Sequence, residues 1–311
     1  MNTFGYASFF NSFYFRHLSI CAMANLKEIR GRIASVTSTR QITSAMKMVA
    51  AAKLRKAQAF ASQIVPYKNK MQEILAVLSE TLAETGDNAF ITKRDVKSML
   101  VIAISSNKGL CGGFNGNIFK ACSALVQRET EQHPNLKIQF YAIGKKISEL
   151  LQRAGYEVYK TQIDAIDKVE YETSKAIVEE ISELFLSGKI DCLKFVHNEF
   201  VNAAVQNTVE DFFLPLTFKV DKNVKFKSDY IFEPDKESIV TTLIPQWLKT
   251  TFFSAMAESF AGEQGARMTA MNKATDNATE LIKELNLQYN KVRQASITNE
   301  IIEIVSGANA Q

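Results

Sequence analysis

Histidine and cysteine are scarce in this 311-residue chain, and the few present are scattered. The four cysteines, Cys21, Cys111, Cys122 and Cys192, form no CxxC pair. Their spread fits neither a zinc site nor a disulfide scaffold and reads as reduced thiols in an intracellular protein. The three histidines, His17, His133 and His197, are too far apart in sequence to suggest a metal cluster. No apolar run reaches the roughly 18 to 20 residues that a membrane helix needs, so work at a membrane would require another anchor. The GxSxG elbow, the HExxH pair and the acidic metal loop are also missing. Asp164 and Asp167 in "TQIDAIDKVE" read as a solvated loop rather than a catalytic pair, and nothing in the chain suggests a nucleophile.

What is present is ordinary in bulk and uneven in place. With 46% hydrophobic and 23% charged residues the composition is that of a globular protein. The net charge of +4 is too small to imply nucleic acid. Between Met23 and Phe60, however, Lys27, Arg30, Arg32, Arg40, Lys47, Lys53, Arg55 and Lys56 stand against the single acid Glu28, a local excess suited to an acidic partner surface. Residues 1–22 differ from the rest: rich in Phe and Tyr, without an acid, and with only Arg16 as a fixed positive charge. They match neither a secretory signal nor an arginine-rich presequence and are expected to be an extension from a mis-assigned start, or a divergent targeting segment.

Apolar residues at Leu26, Ile29, Ile33 and Val36 mark one face of a helix. After a polar patch the stripe is expected to resume with a phase shift through Ile42, Ala45, Met46 and Val49, and then to run on to Leu78. The spacing predicts one helix from Asn25 to Leu82, roughly 90 Å long, with a bend at Pro66. A second long helix is expected after Asp235, which can cap it, with its stripe running from Leu243 to Val305 and Gly307 as its terminator. Gly262 and Gly265 inside it imply a close backbone approach or a weak point, and with Pro245 they mark where a bend is expected. Stripes near the coiled-coil period on both helices, with a globular segment between them, predict an antiparallel pair. In that segment, strands are expected at 99–105, 136–144 and 191–200, with an edge strand in "QNTVEDFFLPL" and helices near 116–131, 145–153 and 172–187. The fold class is therefore α/β: a long antiparallel coiled coil of N- and C-terminal helices (23–85 and 235–308) with an inserted open, mostly parallel, Rossmann-like domain (95–220).

The stretch "SSNKGLCGGFNGN" (105–117) follows a strand and precedes a helix, as a phosphate cradle would. It lacks the lysine and hydroxyl of a P-loop, and Gly109, Gly112, Gly113 and Gly116 do not have the GxGxxG spacing. The expected role of these glycines is a tight turn with positive φ and close backbone packing at the end of the sheet.

Four stretches carry a resemblance: "NLKEIRGRIASVTSTRQITSAMKMVAAAKLRKAQ" (25–58), "KGLCGGFNGN" (108–117), "YIFEPD" (230–235) and "GEQGARMTAMNKATDNATELIKELNLQYNKVRQASITNEIIEIVSGA" (262–308). Together they resemble the gamma subunits of F-type ATP synthases from Met23 to the end. That resemblance implies a rotor whose paired terminal helices stand inside a ring of alternating alpha and beta subunits. Its α/β domain would form the foot, against the epsilon subunit and the membrane c-ring. It also implies no catalysis, no cofactor and no nucleotide bound by this chain itself. By the same resemblance, contacts to the beta subunit fall on Met46, Lys47 and Lys53 in the first helix and on Arg267, Arg293, Gln294 and Thr298 in the second. For Arg267 the residues alone offer another reading, an i,i+4 pair with Glu263. The implied location is peripheral, on the cytoplasmic face of a bacterial inner membrane, or on the matrix side of the mitochondrial one. A coiled-coil tether with a hinge-like domain is the competing expectation.

Overall fold

The computed structural model describes residues 6–85, 89–92, 94–203, 205–216, 232–233 and 235–309, with side chains from Leu26 onward except 79–85 and 237. The chain divides into two compact units, Met1–Lys47 with Met271–Gln311, and Met48–Ala270. Helix α1 (Tyr6–Thr85) and helix α6 (Lys236–Asn309) contribute to both.

In the first unit the two helices pair side by side over the stretch from Arg30 to Lys47 on α1 and Asn272 to Tyr289 on α6. Arg30 Nη2 donates to Tyr289 Oη at 2.6 Å, Thr43 and Thr275 share a 2.8 Å hydroxyl contact, and Lys47 Nζ donates to Asn272 Oδ1 at 2.6 Å. Residue numbers rise on α1 as they fall on α6, so the pairing is antiparallel. Among the covered positions on α1, Leu26, Ile29, Ile33, Val36, Arg40, Thr43 and Lys47 form an unbroken three-and-four alternation, with half-buried Thr37, Ser44 and Met46 flanking it. On α6 the same alternation runs through Met271, Thr275, Ala278, Ile282, Leu285, Tyr289, Val292 and Ser296. The expected phase shift does not occur. The seam continues straight through the polar patch and leaves Ile42 60% exposed. Heptad continuity outweighs the apolar character of single residues, because a shift of phase would break knobs-into-holes packing on both sides of it.

The helix ends also differ from expectation. α1 extends back to Tyr6 rather than Asn25, since 6–24 contains no glycine or proline to stop it. Both Pro66 and Pro245 lie inside continuous helices. Helix α6 passes through Gly307 to Asn309 instead of ending at the glycine. Its start is as expected: Asp235 Oδ1 accepts from Ser238 N at 2.8 Å.

The second unit is built on a five-stranded sheet, β3-β2-β1-β4-β5. Strands β1 (Ser98–Ile104), β2 (Lys137–Ile143), β3 (Val158–Gln162) and β4 (Cys192–Phe200) are parallel, and β5 (Gln206–Leu214) runs antiparallel to β4 as an edge. Central β1 is buried on both faces, which explains its continuous apolar run. Leu100, Ile102 and Ile104 face a core made with α5 (Tyr171–Leu186), Leu75 and Leu78 of α1, and Ile244, Leu248 and Phe252 of α6. Met99, Val101 and Ala103 face α2 (Phe114–Gln132) and α3 (Lys145–Arg153). Strand β3 was not expected. Its sequence VYKTQ is that of an exposed edge, where a strand needs no apolar alternation. The loop expected around Asp164 and Asp167 includes a single helical turn, α4 (Asp164–Asp167).

Candidate functional site

The glycine stretch leaves β1 at its carboxyl end and is held by its own side chains. Ser105 Oγ accepts from Ile147 N at 3.0 Å, and Asn115 Oδ1 accepts from Ser106 N at 3.1 Å. Asn107 spans two neighbours, donating to Ile163 O at 2.8 Å and accepting from Lys145 N at 2.9 Å. Of its glycines only Gly112 takes a positive φ, 59°, alongside the non-glycine Leu110 at 63°. The close packing expected at the end of the sheet comes instead from Gly144, at φ 100°, where an added Cβ would overlap the Ser105 carbonyl.

The switch point of this sheet lies between β1 and β4, where β1's neighbours lead off in opposite directions and open α/β sheets form a ligand crevice. Here α6 approaches that end. A Cβ on Gly262 would meet Phe114 at 3.5 Å and Asn198 at 3.7 Å, and one on Gly265 would lie 3.2 Å from the Ala203 backbone. Of the two readings of these glycines, the close backbone approach is the one realised. Two residues further on, Arg267 Nη2 donates to the carbonyls of Lys108 and Gly109, both at 3.2 Å, while Nη1 donates to Glu263. The Arg267 side chain is only 11% exposed and that of Glu263 9%. Burial holds the Glu263 carboxyl above its ordinary range, and the guanidinium beside it offsets only part of that rise. The loop thus offers carbonyl oxygens to a cation, opposite in polarity to the amide nest that holds phosphate.

The other expected contact residues lie apart from this cluster. Lys53 is exposed and lines an open groove of about 470 Å³ with Lys56, Phe60, Lys168 and Phe260. Lys47, in the first unit, is half-buried on Asn272, next to half-buried Met46. Arg293, Gln294 and Thr298 lie on an exposed part of α6, with Thr298 Oγ1 donating back to Gln294 O at 2.9 Å. Sequence reasoning missed the groove, because Phe60, Lys168 and Phe260 come from separate elements and no local pattern joins them. Among the described residues no group of His, Cys, Asp and Glu could hold a metal ion, and no helix is long and apolar enough to cross a membrane.

A family model described as ATP synthase matches residues 25–311. The ATP synthase gamma chain of Flavobacterium johnsoniae is 49% identical over 288 residues, covering 93% of this chain and 99% of that one. The chain belongs to the ATP synthase gamma-chain family. The gamma chain of Chlorobaculum tepidum is 41% identical over 290 residues with the same coverage. Among solved structures, a chain of the Euglena gracilis mitochondrial ATP synthase (OSCP/F1/c-ring) superposes with a TM-score of 0.66 at 19% identity, covering 92% of this chain and 94% of that one. A chain of the Tetrahymena thermophila mitochondrial central stalk and c-ring gives 0.56 at 23% identity, covering 75% and 99%. At such identities the structures support the fold, and the sequence relatives support the family. In this chain the i,i+4 pair that the residues alone suggest for Arg267 is formed.

Proposed function

We propose that this chain is the non-catalytic central-stalk rotor of an F-type ATP synthase. In this reading it turns inside the ring of alpha and beta subunits, with its sheet unit as the foot against the epsilon subunit and the membrane c-ring. The observation that carries the reading is the antiparallel pairing of the chain's two ends, Arg30 with Tyr289 and Lys47 with Asn272, in a member of the gamma-chain family. A rod of two mutually supporting helices resists twisting in a way that a single helix does not. Lys53, with Lys56 and Lys168 around an apolar groove, supplies a cationic surface for an acidic segment of the beta subunit. Met46, Lys47, Arg293, Gln294 and Thr298 provide further contacts on the rod. Each exposed pair contributes only about 0–1 kcal/mol, weak enough to be broken once per turn. We place the complex on a bacterial inner membrane with this chain on its cytoplasmic side, attached only through its partners. The bacterial sources of the similar gamma chains support that choice over the matrix side of a mitochondrial membrane.

The test is reconstitution. The purified chain should neither bind nor hydrolyse ATP alone, and should restore sustained ATP hydrolysis when mixed with alpha and beta subunits. A C-terminally tagged chain should bring down those subunits in a stable complex. Purification of the tagged chain without either subunit would sink the rotor reading.

A further inference from the structure

We infer that Arg267 is an internal lock, a positioning residue that fastens helix α6 to the glycine loop so that rotation of the foot reaches the shaft without slack. The inference rests on the rotor reading above and reassigns one residue within it. Arg267 is expected by motif to face a partner, yet its fork is already engaged. Nη1 is held by Glu263, and Nη2 is shared between the carbonyls of Lys108 and Gly109 at 3.2 Å. Glu263 is covered in turn and also accepts from Gln264 Nε2 at 3.3 Å. A guanidinium 11% exposed with its donors so directed has little left to offer another chain.

The surroundings are shaped for that lock. Gly262 and Gly265 remove the side chains that would hold α6 away from the end of the sheet. Thr269 Oγ1 adds a further tie to the same end, donating to Ala203 O at 3.0 Å. The loop it grips is no loose flap. Ser105 and Asn107 bind it to α3, Asn107 binds it to the carbonyl of Ile163, and Asn115 binds it to α2. A load on any of these elements therefore reaches the carbonyls of Lys108 and Gly109, and through Arg267 it reaches α6. The glycine stretch, which holds no nucleotide chemistry, gains a role: its turn aims two carbonyls at one cation. Charge-assisted bonds suit a part that carries load, because they are directional and strong relative to neutral ones.

The experiment uses the full chain alone and in the membrane-bound complex. In the isolated chain, Arg267→Gln should raise hydrogen exchange at the amides of residues 106–115 by roughly tenfold or more, since each lost charge-assisted bond shifts local opening by that order. Exchange in β1 should not change. In the complex, ATP hydrolysis should remain within roughly twofold, while ATP-driven proton pumping per ATP hydrolysed falls severalfold, with Arg267→Lys intermediate. Impaired pumping with unchanged loop exchange would place Arg267 on a partner and overturn the lock. Loosened loop exchange with full coupling would overturn its part in rotation. If Arg267→Gln loosens the whole sheet, the isosteric Glu263→Gln decides by the same two readings, and its loop exchange must rise on its own. A wild-type chain that fails to assemble with alpha and beta subunits would instead refute the rotor reading itself.

Discussion

The two units differ in how much polar character they bury at their centres. In the sheet unit β1 is apolar throughout from Met99 to Ile104, none of these residues more than 3% exposed. In the paired-helix unit the seam takes in Arg40, Thr43 and Lys47 on one helix and Asn272, Thr275 and Ser296 on the other, while Ile42 and Leu287 are left 60% and 72% exposed. The sheet unit is therefore stabilised by area removed from water. The helix pair gives up part of that stabilisation for polar contacts that define one register, as buried polar seam residues do in coiled coils. Under the rotor reading this division makes sense: a foot must hold its shape, and a shaft must keep its alignment.

The largest effect that would test this contrast belongs to the sheet unit. Phe252 is fully buried on α6, in ring contact with Phe213 at 6.3 Å. Phe252→Ala should cost about 3–5 kcal/mol through lost transfer energy and a cavity that rigid neighbours cannot close. Urea unfolding followed by tryptophan fluorescence would measure it, with Trp247 packed against the same core as the reporter. A loss below about 1 kcal/mol would mean that burial is not what holds this unit.

The second effect depends on pH. Burial beside Phe195, with a smaller push from Lys68, holds the His197 imidazole at about 3 instead of 6.5. The unfolded chain takes up the proton as pH falls through 6.5, and the folded chain does not until about 3. Stability from this group is thus fully present above pH 6.5 and is lost as pH falls toward 3. At pH 4.5 the loss should reach about 2–3 kcal/mol. His197→Phe should remove that slope, which urea midpoints at pH 7 and 4.5 would show. An equally steep loss in the variant would assign the acid sensitivity elsewhere.

Much of this was legible in the sequence where a local pattern reflects a local cause. The strands β1, β2 and β4 and the helices between them stand out because burial on a sheet needs apolar runs, and Asp235 stands out as a cap because an Asp before a helical stripe satisfies orphan amides. Strand β3 was hidden because VYKTQ is shaped by its edge position, which relaxes the pattern. The seam around Thr43 was misread because apolar residues were followed where heptad phase should have been, and Ile42 lies off that phase. The loop contacts of Arg267 could not be seen because they are to carbonyls 158 and 159 residues away, and backbone atoms leave no trace in residue identity. Glycines were ambiguous for a related reason. Gly262 and Gly265 look like weak points until their neighbours are known.

Those neighbours give the next comparison. Gly31 on α1, in the paired-helix unit, has nothing within 4 Å of an added Cβ, whereas one on Gly265 would lie 3.2 Å from the Ala203 backbone. Alanine in a helix interior is favoured over glycine by about 1 kcal/mol. Gly31→Ala should therefore stabilise by roughly that amount. Gly265→Ala should gain nothing or lose about 1 kcal/mol as the backbone is forced to give way. Gly262→Ala falls between, because its 3.4 Å neighbour is the flexible Gln206 side chain. Equal gains at Gly31 and Gly265, read from local hydrogen exchange, would show that the approach of α6 to the sheet end is looser than the contrast requires.

The smallest effect is the sharpest test of the paired helices. Thr43 Oγ1 and Thr275 Oγ1 lie 2.8 Å apart, and each is also within reach of a carbonyl on its own helix, Arg40 O at 3.1 Å and Met271 O at 2.8 Å. Both hydroxyls therefore keep a local partner if the other is removed, so neither single change to valine should strand a buried donor. Replacing both with valine preserves shape and exchanges a hydrogen bond for apolar contact, which should alter stability by no more than about 1 kcal/mol in either direction. A double-mutant cycle read from hydrogen exchange at residues 40–50 and 268–280 should give a coupling of about 0.5–1 kcal/mol. Register should suffer more than stability, because two valines accept many neighbours along a seam and two hydroxyls accept few. A double variant that loses more than about 2 kcal/mol would make the hydroxyl pair a principal support of the rod, and the division between a foot held by burial and a shaft aligned by polar contacts would then fail.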